Sequence, residues 1–292
     1  MLCLQECMNV FGNGITAMNS AEKEHFSHEL RIFAEGLTDK LTQSGKWNIR
    51  GFIDIFRNVY ALSSDSKVLS KVLELHLLPE LLNFAESISY DIEPAEKQNW
   101  YPDFTFISRH DSRIKFALDL KTTYRDEQHP DFCNGFTLGS HGEYFIDRTS
   151  TKNIQYPYGQ YSGHFCLGII YSRNITAQYD TEIYSVSEIE SIPAVIGDFT
   201  FFAAEKWRIA SDKSGSGNTA NIGSIQFIDD IINGNGVFAK AGEELFNDYW
   251  ANFGRIKIKD SHGKYKPLSS FTEYLKYRRL PESLNNPRKS RR

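Results

Sequence analysis

Apolar residues recur at helical spacing in the first part of the chain. Between residues 21 and 43, one predicted helix face carries Leu30, Phe33, Leu37 and Leu41. Ser20 precedes this segment and acidic residues follow it closely, which is typical of a capped helix N-terminus. The pattern therefore predicts an amphipathic helix over 21–43 with Ser20 as its N-cap.

A second helix is predicted over residues 65–88. Its inward stripe is expected to consist of Val68, Leu69, Val72, Leu73 and Leu75. Asp65 stands where a side chain can cap the first turn. Pro79 has no amide proton to donate, so we expect it to kink or break this helix.

Strand patterns dominate the middle of the chain. Residues 104–106 and 114–120 are predicted as short strands on either side of a polar turn. The continuous apolar run over 165–171 predicts a central strand that is buried on both faces. Further strands are predicted over 181–186 and 199–209, and a late helix is predicted over 243–253. This mixture predicts an α/β (α+β) fold, with a central mixed β-sheet flanked by helices.

The length of 292 residues is compatible with one large domain. Residues 1–18 show no clear periodicity, and we expect them to form a poorly ordered N-terminal extension, with Met18 as an alternative start. Residues 19–292 are predicted to form the single domain. The first residues lack a basic signal-peptide region, and the four cysteines lack metal-site spacing, so a reducing cytoplasmic location without membrane contact is expected.

The formal net charge of −4 is not typical of a nucleic-acid-binding protein, although the local distribution of charge matters more than the sum. Basic residues are concentrated at the C-terminus, at Lys276, Arg278, Arg279, Arg288, Lys289, Arg291 and Arg292. This segment could be a solvated, frayed terminus or an arm that contacts phosphates, and the sequence leaves both interpretations open.

Residues 114–121 alternate between apolar and polar side chains. The apolar set is Ile114, Phe116, Leu118 and Leu120. Because successive side chains of a strand point to opposite faces, Asp119 and Lys121 share the other face.

Asp103 precedes Asp119 by 16 residues, and both lie eight residues from Asp111. If the two strands form a hairpin that turns at Asp111, the two carboxylates face each other, with Cβ atoms about 5–6 Å apart. Carboxylates at that distance repel unless a cation lies between them, and oxygen ligands of this kind suit Mg²⁺. Lys121 could orient a water molecule or stabilise a phosphate. The pattern predicts metal-dependent phosphodiester hydrolysis, although a solvated strand face remains an alternative on this motif alone.

Several separated segments resemble one family in the same order. They are Ser64–Ser70, Tyr101-Pro102-Asp103-Phe104-Thr105, Asp119-Leu120-Lys121-Thr122-Thr123-Tyr124, Phe136–Gly139, Thr151–Ile154 and Gly215–Ser224. Together they resemble the EcoRV-like type II restriction endonucleases of the PD-(D/E)xK nuclease superfamily, from about residue 30 to about residue 280. The resemblance implies a restriction-endonuclease-like fold and cleavage of double-stranded DNA.

The resemblance also implies roles for individual residues. Asp103 and Asp119 would bind Mg²⁺, with Mn²⁺ as a substitute, and Lys121 would assist the attacking water. Glu74 matches an auxiliary acidic residue that would join the catalytic and metal-binding set; an ordinary surface charge is the alternative.

The DNA-binding residues implied by the resemblance fall in several segments. Residues 214–224 would form the loop that reads bases in the major groove, through Gly215, Gly217, Asn218 and Thr219, with Asn221 as support. Gln98 and Asn99 would belong to a minor-groove loop. Thr123, Lys152 and Arg173 match positions near the DNA backbone or the dimer surface. Lys97, Trp100 and Ala220 depart from the family pattern.

The implied target is the palindrome GATATC, cut centrally to blunt ends. A palindrome read by one chain requires a two-fold partner, so a homodimer is expected, with residues 21–62 contributing to dimerisation. A cognate DNA methyltransferase in the same host is the implied functional partner. The alternatives are a less specific repair nuclease of the same superfamily, and a DNA-binding module whose nuclease site is inactive.

Overall fold

A computed structural model describes residues 2–174, 180–215, 220–259 and 263–290, with side chains from Ser20 onward. The helices of this described part are α1 (Leu2–Leu41), α2 (Ser66–Ser87), α3 (Glu143–Ile146), α4 (Ile228–Ile232), α5 (Glu243–Asn252) and α6 (Phe271–Arg278). Its first strands are β1 (Thr42–Gln43), β2 (Lys46–Trp47), β3 (Gly51–Ile53), β4 (Asn58–Ala61), β5 (Tyr90–Pro94), β6 (Phe104–Ser108), β7 (Lys115–Tyr124) and β8 (Thr137–Ser140). The later strands are β9 (Gly163–Arg173), β10 (Ile183–Ser185), β11 (Ile196–Glu205), β12 (Ala210–Ser214), β13 (Asn221–Ser224), β14 (Lys257–Lys259) and β15 (Tyr265–Pro267).

The first predicted helix forms, but it starts earlier than the sequence indicated. Helix α1 begins at Leu2, so the prediction that Ser20 is its N-cap was wrong, because Ser20 lies inside the helix. Three of the four predicted inward residues, Leu30, Leu37 and Leu41, are fully buried. That residues 1–18 are a separate, poorly ordered extension stays a prediction.

The second helix, α2, begins as predicted. The Asp65 carboxylate accepts hydrogen bonds from the amides of Lys67 and Val68 and so caps the first turn. The helix is not broken at Pro79. Pro79 has no amide proton to donate to the Leu75 carbonyl, four residues earlier. Pro79 is exposed and Leu75 is 59% exposed, so this carbonyl lies on the solvent side of the helix. The inclusion of Val68 and Leu75 in the buried stripe was wrong, because both side chains lie on this outer face.

A seven-stranded sheet forms the centre of the molecule. Its strand order is β1-β2-β11-β9-β7-β6-β5. Strands β7 and β9 are parallel and their other neighbours are antiparallel, so the sheet is mixed, as the sequence predicted. Strand β9 is buried on both faces from Gly163 to Tyr171, which confirms the predicted central strand.

Each face of this sheet is covered by its own core. The first, here the α1/α2 core, contains the inward residues of both long helices together with Phe116 and Leu118 of β7. The second, here the aromatic core, contains Ala117, Cys166 and Ala204 from the sheet, and rings that include Tyr101, Phe145, Tyr158, Phe246 and Trp250. Phe116 and Leu118 therefore face a core as predicted, while Asp119 lies on the opposite, aromatic side.

The part of the chain that the structure describes also contains three smaller sheets. Their strand orders are β10-β4-β3, β12-β13-β8 and β14-β15. The predicted strand over 199–209 corresponds to β11, which passes into a 3₁₀ helix at Lys206–Arg208, and the predicted helix over 243–253 corresponds to α5. Among the described residues, no helix is both long enough and apolar enough to span a membrane.

Candidate active site

The two aspartates meet across the β6–β7 hairpin. Phe104 pairs with Leu118 and Phe106 with Phe116, so continuing this register by one residue sets Asp103 opposite Asp119. The Asp103 amide donates to Asp119 Oδ1 at 3.3 Å, and the Leu120 amide donates to Asp103 Oδ2 at 2.7 Å. The hairpin predicted from the equal spacing around Asp111 is therefore confirmed, and each carboxylate is bound to the other residue's strand.

The two carboxylates share a poorly solvated environment. Burial raises the pKa of Asp103 to about 6, and the negative charge of Asp119 acts in the same direction, while Lys121 and the Leu120 amide oppose it. Asp119 is only 7% exposed. Deprotonation of both carboxyl groups is thus unfavourable unless additional positive charge is nearby.

Lys121 supplies part of that charge. Its Nζ lies 3.1 Å from Asp119 Oδ2, two residues along the same face of β7. Burial alone would lower the pKa of Lys121, but Asp119 and Asp103 outweigh it and raise the pKa above its ordinary value. The lysine is therefore a cation at neutral pH, held beside the carboxylates and close to their cleft.

The donor set fits a hard divalent cation. Two facing carboxylates offer oxygen ligands, and Mg²⁺ characteristically takes one or two carboxylates while keeping several waters. Within the described part of the chain, no group of three or more His, Cys, Asp or Glu side chains is positioned to hold a metal. Asp103 and Asp119 are accordingly the protein ligands that this geometry offers.

Glu74 is not gathered into this pair. Its Oε1 lies 2.7 Å from Lys71 Nζ on the same turn of α2, and its side chain is 39% exposed. It is still close enough for its charge to raise the pKa of Asp103. The structure thus places Glu74 near the site, in electrostatic contact, with its carboxylate paired elsewhere.

A cleft of about 650 Å³ opens above the carboxylates. The predicted site residues that line it are Asp103, Asp119, Lys121, Gln98, Asn99, Lys152 and Asn221. Lys152 pairs with Glu143 at 2.7 Å on the rim, where both side chains are exposed. The cleft thus brings together Asp103, Asp119 and Lys121, the predicted minor-groove residues, and the start of β13, a strand that occupies the last four residues of the predicted reading loop.

The reading loop is described only at its two ends. The Gly215 amide donates to the Asn221 carbonyl at 2.8 Å, which closes the base of the loop. A Cβ on Gly215 would lie 2.7 Å from Thr137 Cγ2, so a larger residue would not fit there without movement. Gly217, Asn218 and Thr219 lie outside the described residues.

Two predicted DNA contacts do not reach the cleft. Thr123 is 6% exposed and donates through Oγ1 to the Asn134 carbonyl at 2.6 Å, so its hydroxyl is occupied in the interior. Arg173 lies at the end of β9, stacks 3.9 Å over the Tyr124 ring and pairs with Glu127. At about 3.3 Å per residue, it is roughly 23 Å along the strand from Cys166, the neighbour of Asp119.

The basic C-terminal residues are partly folded onto the body of the protein. Lys289 pairs with Asp230 at 3.1 Å and lies 3.9 Å over the Phe227 ring, while Arg288 pairs with Asp212. The interpretation of this segment as a frayed terminus therefore does not hold for Arg288 and Lys289.

Much of the cleft wall was not predicted from the sequence. The additional lining residues are Trp100, Tyr101, Thr137, Gly139, Ser140, Glu143, Tyr144 and Asn153. The stretches Phe136–Gly139 and Thr151–Ile154 were recognised as part of the family resemblance, but no role was derived for most of their residues. That signal could have marked them as neighbours of the site.

Comparison with known proteins places this chain in a recognised family. The model of the family described as restriction endonuclease EcoRV matches residues 43–279. The type II restriction enzyme EcoRV of Escherichia coli is 36% identical over 234 residues, which cover 80% of this chain and 93% of the relative. The family match includes Asp103, Asp119, Lys121 and both ends of the predicted reading loop.

Proposed function

Because this chain belongs to the EcoRV family of restriction endonucleases and is thereby a site-specific deoxyribonuclease, we propose that it cuts duplex DNA at GATATC in a Mg²⁺-dependent reaction. The cut falls at the centre of the palindrome and leaves blunt ends. The observation that carries the proposal is that one cleft is lined by Asp103, Asp119 and Lys121 together with Asn221 at the base of the reading loop.

The chemistry follows from the charges around the scissile phosphate. Asp103 and Asp119 would hold Mg²⁺, which when bound supplies a Lewis acid for a phosphoryl oxygen. The Lys121 ammonium, fixed against Asp119, orients the attacking water and stabilises the negative charge that develops on the phosphate. The water oxygen bonds to phosphorus while the bond from phosphorus to the leaving sugar oxygen breaks.

Base recognition is assigned to residues 214–224. Asn218 would bond an adenine edge through two hydrogen bonds, the methyl of Thr219 would contact a thymine methyl, and Gly215 and Gly217 would allow close approach of the backbone. Gln98 and Asn99, which line the same cleft, would contact the minor groove. The flexible central TA step lowers the cost of bending the DNA toward the carboxylates.

The enzyme acts as a homodimer in this proposal, because two copies read the two halves of a palindrome. The small sheet β10-β4-β3, its β3–β4 turn and the 3₁₀ helix at Val186–Ser191 support this, since together they present an apolar surface. Its exposed side chains are Phe52, Ile53, Ile55, Phe56, Tyr60, Ile183, Val186 and Ile189. Ile55 is 90% exposed and Phe56 is 78% exposed, values that suit side chains covered by a second copy. Residues 51–61 fall within the segment predicted from sequence, and residues 183–189 extend it.

A cognate methyltransferase and a cytoplasmic location complete the proposal. An enzyme that cuts GATATC would cut the same sites in its host's DNA unless those sites were modified. The proposed partner is therefore a DNA methyltransferase of the same specificity, present in the same compartment as the chromosome.

The experiment is digestion of a plasmid with a single GATATC site in the presence of Mg²⁺. The matched control plasmid differs by one base in that site. We expect one linear product from the first plasmid and none from the second, with sequenced ends that are blunt at the centre of the site. Staggered ends or cuts elsewhere would overturn the proposed site, a smear would indicate an unspecific nuclease, and binding without cutting would indicate an inactive module.

A further inference from the structure

Lys206 is a buried lysine close to the active site. It begins the 3₁₀ helix that follows β11, and it is only 3% exposed. Its Nζ is buried without a hydrogen-bond partner in the described part of the chain. Burying an amine without a hydrogen-bond partner costs free energy, so other contacts around the Lys206 amine must offset that cost.

Aromatic rings surround the amine. Nζ lies 5.0 Å from the ring centroid of Tyr101, 5.6 Å from that of Phe145 and 5.9 Å from that of Tyr158. Ring faces attract a cation within about 6 Å, so this cage favours an ammonium. A Cβ on Gly139 would lie 3.3 Å from Nζ, which places the amine directly behind a residue of the cleft wall.

The sheet register brings this amine close to Asp119. Asp119 pairs with Cys166 of β9, and Cys166 pairs with Ala204 of β11, so the three residues form one row. Two strand spacings set Ala204 about 10 Å from Asp119. Lys206 lies two residues beyond Ala204, and its amine reaches the aromatic core on the side of the sheet that carries Asp119.

The two charges interact through the protein interior. Burial lowers the pKa of Lys206 to about 8, and the charge of Asp119 acts in the opposite direction. At pH 7 the amine is therefore mostly an ammonium. Two carboxylates, at Asp103 and Asp119, then face two ammonium groups, at Lys121 and Lys206, so the site is close to electroneutral before any ligand arrives.

We propose that Lys206 is a positioning residue whose buried charge lowers the affinity of the Asp103–Asp119 pair for a divalent cation in the DNA-free enzyme. The inference rests on the proposed metal site. At a spacing of about 10 Å, which is that of the Ala204 and Asp119 backbones in this row, like charges repel with an energy that, at an effective dielectric constant near 20, changes a binding constant by about tenfold or more. The negative charge of a bound DNA phosphate offsets this repulsion, so metal binding and DNA binding favour each other.

The test is a Mn²⁺ titration of the DNA-free protein at pH 7, followed by water-proton relaxation, together with the melting temperature of each variant. K206M removes the charge and keeps the length of the side chain, and K206R keeps the charge. K115M is the matched control, because Lys115 also lies over a tyrosine ring, 5.0 Å from Tyr156, but near the turn of the hairpin.

We expect K206M to bind Mn²⁺ about tenfold more tightly than wild type, and K206R and K115M to bind like wild type. K206M should not melt lower, since a thioether packs well against aromatic rings. If K206M does unfold, K206Q provides the second neutral variant for the same titration. Unchanged or weaker Mn²⁺ binding in a folded neutral variant overturns the role of Lys206 alone, whereas absence of Mn²⁺ binding by wild type and K206M alike overturns the metal site and this inference together.

Discussion

The backbone amide of Asp103 donates a hydrogen bond to the Asp119 carboxylate across the hairpin, at 3.3 Å. The reciprocal contact runs from the Leu120 amide to Asp103. Each carboxylate is therefore positioned by the backbone of the neighbouring strand, which constrains the side chains before a ligand binds. We therefore expect that replacing either aspartate by asparagine removes its charge and leaves the geometry of the site unchanged. Such substitutions then report on the role of the charge alone.

Asp119→Asn should slow cleavage strongly while preserving DNA binding. The amide keeps the size of the side chain but provides a weaker cation ligand and removes the charge that holds Lys121. We expect the single-turnover cleavage rate to fall by about 10³-fold, with the Kd for a GATATC duplex changed by only a few-fold. Rapid-quench kinetics and fluorescence anisotropy measure the two quantities.

Asp111→Asn is the matched control for that substitution. Asp111 lies at the turn of the same hairpin and pairs with Arg113, an exposed partner. Its cleavage rate should stay within about twofold of wild type. If Asp119→Asn cleaved at a similar rate, the assignment of the active site would be wrong.

Asp103→Asn should stabilise the metal-free protein at alkaline pH. The pKa of Asp103 is raised from 3.8 to about 6 in the folded state, so folding is less favourable with the carboxyl group ionised. Protonated Asp103 therefore contributes a folding stability that is fully present at pH values below the pKa of the unfolded state. This contribution is lost as the pH rises through about 6. Asparagine has no charge to bury and avoids that loss.

We expect Asp103→Asn to raise the free energy of unfolding at pH 8 by on the order of 2–3 kcal/mol, and by clearly less at pH 5. Urea unfolding in the presence of EDTA at the two pH values measures this difference. A variant less stable than wild type at pH 8 would contradict the assignment of the raised pKa.

The hairpin could be predicted because its register follows from sequence distances to a nearby turn. Asp103 and Asp119 are equally far from Asp111, and an antiparallel pair joined by a turn brings such residues together. The position of Lys206 could not be predicted in the same way. It depends on β9 lying between β7 and β11, and on rings that come from widely separated positions in the sequence.

The buried face of α2 was predicted only in part, for a different reason. Apolar residues occur on several sides of this helix, so spacing alone does not select the inward side. Val68 and Leu75 fit a helical stripe, yet the residues that contact the core continue through Leu77, Leu81 and Phe84. Which side of α2 is buried depends on how the helix packs on the sheet, and the sequence of the helix alone does not contain that information.

Ile55→Asp should convert the enzyme into a monomer. The side chain is 90% exposed in the single chain, so the substitution leaves the fold intact, but it would bury an unpaired charge between two copies. We expect a halved mass in sedimentation equilibrium, and cleavage reduced by about 10²-fold or more at nanomolar protein.

Leu82→Asp is the control for the dimer prediction. Leu82 is 48% exposed on α2, outside the apolar surface formed with β10, and its substitution should leave a dimer with normal cleavage. A dimeric Ile55→Asp protein would show that the two copies meet elsewhere.

Gly168→Ala should destabilise the central sheet. Gly168 of β9 lies opposite Phe202 of β11, and a Cβ at this position would overlap the Phe202 ring. We expect a loss of about 1–3 kcal/mol in the free energy of unfolding, because the ring must leave its preferred position in the packed core. Thermal and urea unfolding measure the loss.

Gly36→Ala is the corresponding substitution in an open position. Gly36 lies on the exposed side of α1 with no atom within 4 Å of a new Cβ. Alanine should therefore stabilise the helix by up to about 1 kcal/mol. Equal effects of the two substitutions would mean that the Phe202 contact is not responsible.

The length of the β6–β7 hairpin has a practical consequence. Its turn carries the exposed Ser112, and eight residues of strand and turn separate Asp111 from each active-site carboxylate. At about 3.3 Å per residue, the extended residues alone, which end at Ser108 and begin again at Lys115, place the turn roughly 15 Å from the reaction. A short peptide epitope inserted after Ser112 would therefore allow the enzyme to be immobilised on a surface, with the cutting end of the hairpin still facing the solution.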